Sequence, residues 1–155
     1  MAIVFNQIMF NITQGYYRYI GSGSCRHVFD LGNGHVIKLA KNEAGIAQNK
    51  SEYEISAKDN SDLFAKVIQP SDEFSLLIMQ KADKINNISY VCDYFNVTTK
   101  RELFKLKELQ NIKMNYNLVL GDFYRKSSWG IINERPVIID YGFTREIKER
   151  YYQYF

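Results

Sequence analysis

The sequence predicts an α+β fold in one domain spanning residues 1–155. Three observations carry that expectation. Strand-like runs separated by glycine turns come first, a helical period follows, and short strands and helices fill the rest. At 155 residues and 18.2 kDa the chain has the size of a single domain. Apolar residues at 46% and charged residues at 24% match globular averages and exclude disordered, collagen-like and fibrous classes. Twelve Tyr and ten Phe supply ample core, and only two Pro interrupt regular structure.

Residues 15–20, GYYRYI, read as a strand rich in Tyr and closed by glycines. Residues 25–31 and 35–40 flank Gly32-Asn33-Gly34. An Asn-Gly pair between two β-prone runs signals a hairpin, because a tight turn needs positive φ at its centre. From Asn42 to Lys58 the period changes, and Ile46, Ala47, Tyr53 and Ala57 suit an amphipathic helix. Asn60-Ser61-Asp62 stops it. Residues 63–69 and 74–80 read as two strands about the turn Pro70-Ser71-Asp72-Glu73. The first half is therefore a five-stranded antiparallel sheet carrying one helix.

Residues 99–112 place Leu103, Leu106, Leu109 and Ile112 at intervals of three, with Thr98 or Thr99 as N-cap. Residues 118–122, LVLGD, end that region at a glycine and an aspartate. Residues 129–133 and 136–140 form a hairpin about Glu134-Arg135, and 144–155 closes the chain as a helix with a basic, aromatic finish.

Twenty basic against 17 acidic residues leave a net charge of +3, too mild to imply nucleic acid. Cys25 and Cys92 are lone cysteines, and His27 and His35 are the only histidines, too few for a disulfide framework, zinc site or redox motif. Both thiols read as buried or half-buried groups in a reducing cytosol. Residues 1–14 lack a basic n-region and are broken by Asn6, Gln7 and Asn11, so they do not read as a signal peptide. No stretch approaches the roughly 20 apolar residues of a membrane span. The expectation is a cytoplasmic protein with no membrane or nucleic-acid partner; its oligomeric state is open.

Gly21-Ser22-Gly23-Ser24 is by itself a weak signal, since paired glycines between strands usually mean a tight turn, and Arg26 stands where G-x-G-x-x-G has its third glycine. Lys38 says more. A lysine inside an apolar strand needs an anion, because an unpaired buried ammonium is expensive. Glu52 on the following helix supplies one, with Glu54 as the fallback.

At this point the sequence resembles the protein-kinase-like family, over about residues 15–145 and in the family's order. Gly21, Ser22 and Gly23 look like its glycine-rich loop, Val28 and Val36 like the apolar roof over adenine, and Lys38 and Glu52 like its strand-lysine and helix-glutamate pair. Ile78-Met79-Gln80 falls at the interlobe hinge, whose backbone would meet the adenine edge. Asp122 matches the catalytic-loop aspartate and Asp140-Tyr141-Gly142 the metal-binding D-F-G, with a spacing of 18 residues between the two aspartates. The resemblance implies a small lobe at about 1–80 and a reduced helical large lobe at about 81–155. It implies ATP and Mg as cofactors: Lys38 orients phosphates, Asp140 holds the metal, and Asp122 accepts the acceptor's proton.

Three departures qualify this. The usual H-R-D is Leu120-Gly121-Asp122, a GD form that occurs among small-molecule phosphotransferases of the wider family. The metal-binding asparagine is Ser127, a weaker ligand, with Ser128 beside it. Only 13 residues follow Gly142, so the activation segment and the helices that hold peptide substrates have no counterpart. The implied function is ATP- and Mg-dependent phosphoryl transfer to Ser, Thr or Tyr of a protein target. The alternative is a weak or inactive kinase-like binding module that inhibits or scaffolds a partner, and transfer of AMP is a third reading. Small members of this type resemble those of bacterial mobile elements and phages, which makes a bacterial host protein the expected partner.

Smaller features stay open. Tyr151, Tyr152, Tyr154 and Phe155 either cover a core or form a docking surface. Arg125-Lys126 either neutralises a phosphate or is an exposed pair. Lys100, Arg101, Lys105, Lys107 and Lys113 form a solvated face or meet an acidic partner, and Trp129 packs between the lobes.

Overall fold

Alternation along residues 35–40 fixes the layers. In the computed structural model, which describes residues 4–152, one antiparallel sheet contains β1 (Arg18–Ser22), β2 (Arg26–Asp30), β3 (His35–Ala40), β4 (Val67–Pro70) and β5 (Leu76–Gln80). Its strand order is β1-β2-β3-β5-β4. Residues two apart share a face. Val36, Leu77 and Met79 therefore enter one core, while Ile37, Leu76 and Ile78 enter another.

The first core lies under α2 (Glu43–Lys58) and runs on through Phe64, Trp129, Ile138 and Tyr141. The second is covered by α1 (Phe5–Thr13), whose Phe5, Ile8 and Ile12 pack on Ile37, Leu76 and Ile78. No helix was expected there. Asn6, Gln7 and Asn11 interrupt the apolar run, yet they leave Phe5, Ile8 and Ile12 along one stripe.

The extent of α2 is as expected, with Asn42 capping it by accepting from the Gly45 N–H. Its orientation is not. Ile46 is 36% and Tyr53 40% exposed, whereas Gln48, Asn49 and Glu52 are buried. The helix turns a polar stripe inward.

The rest of the chain holds β6 (Asp83–Lys84), α3 (Ser89–Tyr94), α4 (Lys100–Leu103), α5 (Lys107–Tyr116), β7 (Trp129–Ile132), β8 (Arg135–Ile138) and α6 (Arg145–Tyr152). Strands β6, β7 and β8 make a second antiparallel sheet. The helix expected over 99–112 is split, because Leu106 is extended at φ −59°, ψ 140°. Leu103 and Phe104, before the break, and Leu109 and Ile112, after it, are all buried. Thr99 is the N-cap, accepting from the Glu102 N–H.

The strand expected over 63–69 is also divided. Only Val67–Pro70 joins the first sheet, while Phe64 bridges to Ile138 in β8. The Ala65 N–H donates to the Ile138 carbonyl at 3.0 Å, and the Ile138 N–H donates to the Leu63 carbonyl at 2.7 Å. The β7–β8 turn falls one residue before its expected place. Asn133 and Glu134 take φ of 52° and 64°, the pair of positive values a two-residue hairpin needs, and Arg135 joins the strand. Met79 lies inside β5, paired with Val36 on one side and Val67 on the other. The chain leaves this sheet at Lys81-Ala82, immediately after the expected hinge, whose three residues are all in β5.

Cys25 and Cys92 are free and buried, and Trp129 is buried with its indole N–H on the Phe123 carbonyl at 2.9 Å. Tyr151 and Tyr152 are half-buried; the expectations for Tyr154 and Phe155 lie outside the described residues. Among the described residues no helix is long and apolar enough to cross a membrane.

Candidate functional site

The polar stripe of α2 converges on Glu52, whose side chain is 0% exposed. Its carboxylate accepts five hydrogen bonds. Arg26 grips it in a fork, Nη1 to Oε1 at 2.7 Å and Nη2 to Oε2 at 3.0 Å. Lys38 Nζ donates to Oε1 at 2.9 Å. The backbone N–H groups of Tyr141 and Gly142 donate to Oε2 at 2.9 and 3.0 Å. Of the two candidate glutamates, Glu54 is exposed.

These bonds decide the charge state. Burial pushes the Glu52 carboxyl up, but Arg26 and then Lys38 outweigh it and hold the group down at about 2. Burial pushes the Lys38 ammonium below its usual value, against the pull of Glu52 and helped by the nearby charge of Arg26. Lys38 also donates to the Ile139 carbonyl at 2.7 Å, so one ammonium joins β3, α2 and the residue before Asp140.

Two glycines allow the approach. A Cβ on Gly45 would stand 2.3 Å from the Cys25 carbonyl oxygen, and one on Gly142 would stand 2.5 Å from that of Gln48. With both absent, α2 lies directly against the start of β2 and against the Tyr141-Gly142 backbone. Arg26 and Asp140 are thereby brought together: Nη2 donates to Asp140 Oδ1 at 2.8 Å, and Nη1 also donates to Asn49 Oδ1 at 3.1 Å.

Asp140 remains open to solvent, its side chain 50% exposed. Asp122 sits in a 3-10 turn, Leu120–Tyr124. That turn is held by Ser128, whose hydroxyl donates to the Asp122 carbonyl at 2.8 Å. Burial pushes the Asp122 carboxyl up, opposed by Arg125 at 3.9 Å and reinforced by the charge of Asp140. The two carboxylates thus share one electrostatic neighbourhood. Ser127 is exposed in the next turn and hydrogen-bonds to neither.

Register puts Gly21 opposite Val28 and Val28 opposite Lys38, one row across three strands. Val36 and Met79 are buried in the first core, and the half-buried Val28 packs against that core. Met79 contributes a side chain to this apolar bed, while its backbone lies within the sheet. Ser22 and Gly23 are exposed in the β1–β2 turn, where Lys41 Nζ donates to Ser22 Oγ and, at 2.7 Å, to the Gly23 carbonyl. Gly21 and Gly23 have negative φ, and nothing lies within 4 Å of where a Cβ would stand.

Arg26 is the residue that pattern reading missed. Its signal was available: like Lys38, it is a cation within a β-prone run, and the same burial argument applied to it.

No family model matches the chain, and no curated protein matches it. Solved structures do. An APH(2")-IIa in a ternary complex with streptomycin and ATP matches with TM-score 0.51 and 19% identity, over 92% of this chain and 72% of that one. The aminoglycoside phosphotransferase APH(2'')-Ib, bound to ADP, matches with TM-score 0.51 and 18% identity, over 90% of this chain and 71% of that one. The PknI kinase domain of M. tuberculosis matches at TM-score 0.48 and 17% identity, over 83% and 59%. The fold is protein-kinase-like.

Proposed function

We propose that the chain binds ATP and transfers a phosphoryl group to a hydroxyl acceptor. The observation that carries this reading is the convergence on Glu52 of Lys38, the strand cation, and the backbone immediately after Asp140. An ammonium has three donors. Lys38 uses one on Glu52 and one on Ile139, which leaves one for a phosphate oxygen. The fold itself does not require glycine at 21 or 23, and a turn without Cβ lets a phosphate come close to the backbone, although the Gly23 N–H is itself spent on the Arg26 carbonyl at 3.0 Å. The half-buried Val28, at the edge of the core that holds Val36 and Met79, offers apolar surface to the base. Asp122, with its raised pKa, is a better proton acceptor for an incoming hydroxyl than a fully solvated aspartate.

Magnesium fits this donor set through Asp140. One carboxylate oxygen is held by Arg26, the other is uncommitted, and magnesium takes one or two carboxylates beside waters and phosphates. When bound, the ion neutralises phosphate charge. Ser127 adds only an exposed hydroxyl.

The proposed acceptor is a Ser, Thr or Tyr hydroxyl of a protein target. The aminoglycoside phosphotransferase likeness supports a small-molecule hydroxyl as a second acceptor class. The hold of Arg26 on Asp140 favours the other reading, a weak or inactive binding module. Incubation with labelled ATP, alone, with a proteome and with gentamicin or streptomycin, separates these. Transfer that Asp122→Asn abolishes while ATP still raises Tm supports catalysis through Asp122. An ATP-induced Tm rise without transfer to any acceptor leaves the binding module.

A further inference from the structure

Arg26 commits all four of its Nη hydrogens: two to Glu52, one to Asn49 and one to Asp140. It is buried at the seam between β2 and α2 that Gly45 makes possible. Glu52 and Asn49 hold the guanidinium in place from the α2 side, so its charge stays beside Asp140. The charges in this cluster close. Arg26 and Lys38 are the cations, Glu52 and Asp140 the anions. Without Arg26 the cluster would carry one uncompensated carboxylate facing the incoming phosphates, and a divalent ion would have to screen it.

We propose that Arg26 is a resident cation that performs this screening at Asp140, so that the site binds nucleoside phosphates with little dependence on magnesium. This rests on the nucleotide-binding reading above. Arg26 acts here as a positioning residue, since its donors are spent on protein groups.

Calorimetric titration of the full chain with ADP, in excess EDTA and in excess magnesium, tests it. The expected result is a Kd that changes by less than about tenfold between the two buffers, and a larger change overturns the proposal. Arg26→Gln removes the charge and keeps a polar hydrogen-bonding side chain, shorter than arginine. In that variant magnesium should tighten ADP binding by about tenfold or more, and a folded variant as insensitive as the wild type also overturns it. Where Arg26→Gln does not fold, the wild-type comparison alone decides. Failure to bind ADP in both buffers defeats the nucleotide reading instead. Manganese alone, followed by the spectrum of the free ion, then tests the screening by itself: binding to the wild type about tenfold weaker than to Arg26→Gln is expected, and equal binding overturns it.

Discussion

Replacing Glu52 by Gln removes the charge around which the site is built and retains the side chain's volume. The carboxyl is held at about 2 rather than its ordinary 4.5, a difference worth about 3 kcal/mol at about 1.4 kcal/mol for each pH unit. Breaking one partner out of a buried ion pair costs about 3–5 kcal/mol, which agrees. The sign follows from the depressed value. The contribution is fully present above the unfolded pKa and drains away as pH falls from about 4.5 towards about 2. Lys38 opposes it, because burial disfavours its charge, and that cost remains in the variant. Urea melts at neutral pH should therefore show Glu52→Gln less stable by about 3 kcal/mol, and the gap should narrow as the pH is lowered through about 4. A variant as stable as the wild type at neutral pH, or a gap that does not close in acid, would refute the reasoning.

Two further outcomes follow from the same geometry. Lys38→Met should abolish the rise in Tm that ATP produces while leaving a cooperative melt, since Arg26 and two backbone N–H groups still satisfy Glu52; an undiminished ATP response would remove Lys38 from the site. Gly142→Ala drives a methyl to 2.5 Å from the Gln48 carbonyl oxygen. It should cost about 1–3 kcal/mol in a denaturant melt, and unchanged stability would show that the close approach to α2 is not needed.

Strands and turns were largely legible because their signals are local. Glycine and asparagine at 32–34 and the apolar run at 76–79 need no distant partner to be read. The errors have two physical sources. Along α2 the hydrophobic period pointed to Ile46 and Tyr53, but the helix buries Gln48, Asn49 and Glu52 beside Ile55, because part of its inner face meets the cations Arg26 and Lys38. Local pattern fails where function overrides it. At α1 the apolar stripe is narrow and its packing partners are Ile37, Leu76 and Ile78, a face of the sheet that sequence alone does not show to be bare. The pairing of Lys38 with Glu52 was legible from a lysine in an apolar strand that needs an anion. Arg26 was not, because it was weighed as a missing glycine rather than as a buried cation in its own right.

The pair of backbone hydrogen bonds between 63–65 and Ile138 ties β8 to the segment that leads directly into β4, and so joins the two sheets through the main chain. Sliding one sheet past the other would break both bonds together, whereas rotation about the bonded pair breaks neither. Rotation would instead pull on the bonds that Asp140 and the 139–142 backbone make with Arg26, Lys38 and Glu52, so main chain and side chains together hold the two sheets in one relation.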